Sequence, residues 1–285
     1  MKSRGVGGWL AGWLLAALVF SGPARAQTLL DEGYRDMYNL QFARAHDAFR
    51  QYQQQHPDDP IAPASDAAAY LFSEFDRLHV LEVELFVDDA KYESRERATP
   101  DPAVRQAFEA DLAKSSALAK SALVKDPKNG DAQFALAISD GLRADYLSLI
   151  DRRDVAALSY VKSGRLLAEK LLAEHPDYYD GYLAVGVENY LLSLKPAPVR
   201  WILRLTGAQT DKQIGLDKLR ITAEKGRYLL PYARLLLAVA ALRDGDRAKG
   251  IEGLQWLARQ FPQNHLYSKE LAKVAGGTGA IHSGP

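Results

Sequence analysis

The sequence predicts an all-α protein. Its residues are rich in Ala, Leu, Tyr and Arg with few β-branched runs, and apolar positions recur at i, i+3, i+4 and i+7 almost throughout. One phrase also repeats along the chain: an amphipathic helix, a short break, a second helix with small residues on one face, then a polar residue, a proline and a turn. Helices that repeat in this way bury their apolar faces on their neighbours, so antiparallel helix pairs stacked side by side are expected.

The opening segment, MKSRGVGGWLAGWLLAALVFSGPARAQ, places Lys2 and Arg4 before an apolar run from Trp9 to Phe20, then Gly22-Pro23 and the small residues Ala24 and Ala26. That order is the order of a secretory signal peptide, with cleavage expected after Ala26. The apolar run falls short of the roughly 18 residues that a membrane span needs. With no cysteine in the chain, a lipid-modified cleavage site and disulfides are both excluded. The expected product is a soluble exported protein, periplasmic, of about 259 residues, enough for a sizeable core. The full chain balances 36 basic against 36 acidic residues, and loss of Lys2, Arg4 and Arg25 leaves about −3. Neither the charge nor the export signal suits a nucleic-acid partner.

The predicted organisation is a signal peptide over 1–26, a helical-repeat domain over 27–275 and a disordered tail over 276–285, too poor in apolar residues to pack. The first repeat, LLDEGYRDMYNLQFARAHDAFRQYQQQHPDDP, carries Gly33, Phe42, Ala45, Phe49 and Pro57. A helix near Ser65 leads into LHVLEVELFVDDAKYESRERATPDP, one of two stretches of excess length, near 80–102; its start reads as continuing helix before another begins near Ala103. Further repeat ends fall at Pro127 and Pro176. The next unit runs as helix from about Asp180 to Lys195, with Tyr182, Val185 and Gly186 on its packing face. Pro196 and Pro198 stop it. Helix resumes at Thr210, whose hydroxyl is placed to cap with Gln213 reaching back, and ends at Gly226 in a left-handed turn. The best repeat, PYARLLLAVAALRDGDRAKGIEGLQWLARQFPQN, has Leu237-Ala238, Gly245 in its turn, Gly250, Leu254 and Pro262. Leu266, Leu271 and Val274 lie on a final capping helix.

These residues resemble the tetratricopeptide repeat (TPR) family across nearly all of Leu29 to Val274. The resemblance implies a right-handed superhelix of helix pairs, an α-solenoid. The spacing departs from the family's 34-residue unit, because Pro57, Pro127 and Pro176 are 70 and 49 residues apart. It also implies a concave face, made by the first helix of each pair, that binds a protein or peptide segment. By register that face holds Asp131, Phe134 and Ile138, then Asp180, Leu183 and Val187, then Tyr232, Leu235 and Val239.

Polar residues on packing helices are costly unless paired, so Arg143 and Tyr146 in DGLRADYLSLIDRRD, and Glu188 and Asn189, join the candidate partner-binding set. Their structural reading is pairing within a helix or hydrogen bonds to the neighbouring helix. The second stretch of excess length, 196–209, contains VRWILRL, which forms two turns of helix with Arg200 and Arg204 on one side and Trp201, Ile202 and Leu205 on the other. Lys195 and Lys212 flank it, so the candidate contacts there are Lys195, Arg200, Trp201, Arg204 and Lys212. The expected order is packing of the apolar side on the protein's own surface first, a partner contact second and a membrane surface third.

The sequence offers little chemistry. The six histidines never pair at i, i+4, so His79 beside Glu82 and Glu84 lacks the ligands of a metal site. The same three residues are the best available for a hydrolase, with nothing to fix their geometry. Asp244 and Asp246 lack the remaining oxygens of a calcium loop. A non-enzymatic scaffold without cofactor or metal is the expectation.

Overall fold

The computed structural model describes residues 22–80, 82, 87, 91, 94 and 99–276. Residues 1–21, where the signal peptide is expected, Glu84 with most of 81–98, and residues 277–285 lie outside the described residues. Among those described the protein is all-helical, with twelve α-helices and no strand. No helix among them is long and apolar enough to cross a membrane.

Five helix pairs follow one another along the chain. The first is α1 (Gly22–Tyr38), which runs through the predicted cleavage point, with α2 (Phe42–Gln55). Next come α3 (Ile61–Arg77) with α4 (Pro102–Lys125), and α5 (Gly130–Asp145) with α6 (Asp154–Glu174). The fourth pair, α7 (Tyr182–Ser193) and α9 (Lys212–Lys225), is interrupted by α8 (Ala197–Leu205). The last pair is α10 (Leu230–Arg243) and α11 (Arg247–Gln260), and α12 (His265–Gly276) covers the end.

Close approach explains the small residues. A Cβ on Gly33 would lie 2.3 Å from Phe49 across the first pair, and one on Gly250 would lie 2.4 Å from Leu242 across the last. In the fourth pair a Cβ on Gly215 would meet the Tyr190 backbone nitrogen at 2.5 Å, and one on Gly186 would meet Leu219 at 2.9 Å. Bare backbone therefore lets facing helices nest and fills the seam with Phe49, Leu219 and Leu254, all fully buried. Gly245 turns α10 into α11 with φ +79, a conformation that favours glycine.

The first pair also meets the last. Tyr38 donates its hydroxyl to the Tyr228 carbonyl at 3.0 Å, Asn264 donates to the Tyr38 carbonyl at 2.8 Å, and Arg227 forks onto Asp31 with two bonds of 2.9 Å. Tyr34 stacks on Tyr228 and Phe72 meets Tyr232 edge-on. In an extended repeat array each unit touches only its neighbours; here α1 and α3 reach the turn and helix of the fifth pair.

Several local expectations are corrected. Asp211 caps α9, accepting the Ile214 N–H at 2.9 Å, while Thr210 accepts from Arg204 and Gln213 turns to Asp217. A carboxylate outcompetes the neighbouring hydroxyl for the helix N-terminus. Gly226 ends α9 in extended backbone (φ −61, ψ 156), not a left-handed turn. It is glycine because a Cβ there would lie 2.6 Å from the Thr222 carbonyl and 2.7 Å from Asp180 Oδ1. The helix expected from Asp180 begins as a 3₁₀ turn, Tyr179–Gly181, and becomes α-helical at Tyr182. The helix expected near Ser65 starts earlier, at Ile61, where Asp59 Oδ1 accepts the Ile61 N–H. The helix expected to continue past Val80 ends at Arg77, because His79 takes φ 54 and returns its N–H to the Asp76 carbonyl.

Candidate functional site

The site lies between the third and fourth pairs, and it is built from an arginine. Arg165 on α6 is buried; its Nε donates to Glu188 Oε2 at 2.8 Å and its Nη1 to Glu169 Oε2 at 2.6 Å. Glu188, fully buried on α7, uses its other oxygen to accept the Gln209 backbone N–H at 3.0 Å. Asn189 donates to Gln209 Oε1 at 2.6 Å and accepts the Asp211 N–H at 3.1 Å. Gln209 Nε2 returns to Glu169 at 2.7 Å. The remaining Arg165 nitrogen donates to the Gly207 carbonyl at 3.2 Å, and Lys162 donates to the Thr206 carbonyl at 2.6 Å. A buried charge needs a partner and satisfied hydrogen bonds. Here both are met by the backbone that returns from α8.

That network fixes the base of α8 and leaves the helix itself standing off. Arg200 Nη1 donates to the Lys195 carbonyl at 2.9 Å and the Ser193 carbonyl at 3.3 Å, at the end of α7. Arg204 Nε donates to Thr210 Oγ1 at 2.6 Å. Pro198 is tolerated within the first turn, where its missing N–H has no partner to lose. At about 100° per residue, Trp201, Leu205 and Ile202 share one side, opposite Leu203 and Arg200. That side is open to solvent: Trp201 is 64% exposed, Ile202 57% and Leu205 68%. α8 has no buried residue. The expectation that its apolar side packs on the protein's own surface is therefore corrected. The inward side carries half-buried Leu203 and Arg200, which is bonded to the Ser193 and Lys195 carbonyls, so the apolar side is left facing out.

The residues assigned to a concave face go elsewhere. Phe134 is buried against Tyr178, and Asp131 accepts the Tyr178 hydroxyl at 2.9 Å. Ile138 and Leu235 pack on the central cluster, Val239 is buried near Leu254, and Leu183 and Val187 pack beside Tyr190 and Leu219. Asp180 is buried and accepts the N–H groups of Arg227, Tyr228 and Leu229 at 3.0 to 3.1 Å. Burial pushes its carboxyl up despite those three donors. Tyr232 donates to Asp145 at 3.4 Å. Tyr146 stacks on Phe108 at 5.1 Å under the Arg105 guanidinium, and burial raises its hydroxyl to about 12. Arg143 reaches Glu109 on α4 at 3.0 Å, so its ion pair crosses between helices where pairing within one was expected. Tyr146 itself opens a π-helical turn, Tyr146–Ile150. Of the insertion contacts, Lys195 is exposed and Lys212 pairs with Asp244 at 2.5 Å.

A second feature is a crevice of about 210 Å³ between α2, α3 and α4, lined by Arg50, Asp66, Tyr70, Asp111 and Lys114 among others. Asp66 binds His46 and lies 3.5 Å from Arg50. Burial, then the Asp66 charge, raises Asp111 to about 6. No serine, threonine or cysteine lines it, and His46 packs on the Tyr70 ring. His79 and Glu82 belong to no metal cluster among the described residues, Glu84 lies outside them, and Glu82 pairs with Lys269 at 2.8 Å.

Arg165, Glu169, Gly207 and Gln209 were missed in the sequence. The available signal was an arginine beside Gly164, on a helix face that otherwise packs small residues. No family profile, characterised protein or solved structure matches the chain.

Proposed function

We infer that this chain is a non-enzymatic, TPR-like helical-repeat scaffold of the cell envelope, exported by its signal run, and that it docks through α8. One observation carries the reading: α8 is tied to the body by its arginine side and holds Trp201, Ile202 and Leu205 outward. A contiguous apolar face exposed in fixed orientation is a surface waiting to be covered. The same orientation is preset by Arg165, Glu188 and Asn189, so little ordering is lost on docking. Phe134, Tyr146, Asp180 and Val239, among the side chains first assigned to partner binding, are buried in the body, which favours α8 over the inner helices as the docking face.

The test is a Trp201→Ser/Leu205→Ser double variant, expressed with its own leader and fractionated after gentle lysis. It should move from the envelope-bound to the free fraction with its melting temperature unchanged. Wild-type distribution of the folded variant would overturn the reading.

A further inference from the structure

We propose that the apolar side of α8 takes an anionic lipid surface: the headgroups and upper acyl region of a membrane that contains acidic phospholipid. This rests on the docking reading above and names its occupant.

Charge complementarity selects the lipid. From Lys195 to Lys212 the segment holds four cations, Lys195, Arg200, Arg204 and Lys212, against one acid, Asp211, on a chain whose 36 basic and 36 acidic residues balance overall; Lys212 is paired with Asp244, which leaves Lys195 and Arg204 as the exposed cations. Asp211 is committed to the N-terminus of α9. Arg204, one turn after Arg200 and about 60° round the helix from Trp201, is exposed at the flank of the apolar side, and Lys195 is exposed at its base, while Arg200 is held inward by the Lys195 and Ser193 carbonyls. A basic flank beside tryptophan and aliphatic side chains is the composition that lies in a membrane interface, where the cations meet phosphate and the apolar side enters the acyl boundary.

Shape selects it too. α8 stands off with no buried residue, and Trp201, Leu205 and Ile202 project from one side of it within an arc of about 100°. A bilayer accepts a projecting side without a complementary groove. Arg200 on the inward side is already hydrogen-bonded to the protein, so the apolar side is what is transferred, and the last carbonyls of α8, Leu203 and Arg204, accept the N–H groups of Thr206, Ala208 and Gly207. Nine residues make a shallow contact, reversible and sensitive to salt.

The chain has no cysteine, so Ile202→Cys can carry a single environment-sensitive fluorophore. Val155→Cys, 85% exposed at the start of α6, is the control. With vesicles of phosphatidylcholine plus phosphatidylglycerol the label at 202 should shift to the blue, lose the shift when salt is raised, and stay unshifted with phosphatidylcholine alone. The label at 155 should not move. Lys195→Gln should weaken partitioning by about fivefold, the effect of one cation near an acidic surface.

No shift at 202 with either vesicle, from protein with an intact helical spectrum, would overturn the proposal. So would an equal shift at 155. A blue shift without lipid that grows with protein concentration would assign the face to a second copy and overturn it as well. If the serine variant leaves the envelope while vesicles leave position 202 untouched, the lipid assignment falls alone and the docking reading stands.

Discussion

Arg165 and Glu188 form a buried ion pair at 2.8 Å, and the second Glu188 oxygen holds the backbone that leaves α8. One carboxylate thus joins the interior of the fourth pair to the orientation of the exposed helix.

Removing it should be costly in stability and specific in place. Glu188→Ala leaves Arg165 buried with only Glu169, and breaking a buried pair costs about 3 to 5 kcal/mol. Urea denaturation should show that loss. Hydrogen exchange should show earlier opening of residues 206–211 than of α10. Unchanged stability would mean that the pair contributes nothing net.

The glycines divide by what surrounds them. Gly215→Ala drives a methyl into the Tyr190 backbone at 2.5 Å and should destabilise by about 1 to 3 kcal/mol through overpacking. A Cβ at Gly141, within α5, meets nothing within 4 Å, so Gly141→Ala should stabilise by about 0.5 to 1 kcal/mol. Thermal melts of both variants check the contrast.

Asp145 gives a pH dependence. Burial raises its carboxyl to about 7, with the Tyr232 hydroxyl working against that rise. An unfolded aspartate titrates near 3.9. Between those values the folded protein holds the extra proton, so the Asp145 contribution to stability falls as pH rises from about 4 to about 7 and is flat above. Asp145→Asn should remove that loss, with a gain of at most about 4 kcal/mol at pH 8 and little change near pH 4. Equal effects at both pH values would contradict the assignment.

The helical class and the small-residue seams were legible because they rest on local rules. Gly33, Gly250 and Gly245 act at the positions the repeat pattern gave them, and Leu266 begins the covering helix as expected. Caps were less legible: Thr210 and Asp211 are adjacent candidates, and tertiary bonds from Arg204 and Asn189 decide between them. The candidate site was legible as a segment and misread in orientation. Periodicity shows that α8 has two sides. Which side faces the body depends on the Ser193 and Lys195 carbonyls, Thr210 and the Arg165 network, and these are assembled from three helices. Phe134, Tyr146 and Asp180 were read as open for a related reason: register fixes a helix face, and Tyr178 on Phe134, Phe108 on Tyr146 and the Arg227–Leu229 turn on Asp180 decide whether that face stays open.

Polar replacement on α8 should cost the free protein nothing. Trp201→Ser and Leu205→Ser act on side chains 64% and 68% exposed, so stability should stay within about 0.5 kcal/mol of wild type by denaturant titration. A larger loss would mean that the side packs on the body after all.

The most direct measurement of the docking face is thiol reactivity at position 202 in place. Ile202→Cys and Val155→Cys protein should be treated with a hydrophilic maleimide, both purified and in intact envelopes. The account predicts rapid labelling at both positions in purified protein and strong protection of position 202 alone in the envelope. Equal labelling of position 202 in the two settings would contradict it.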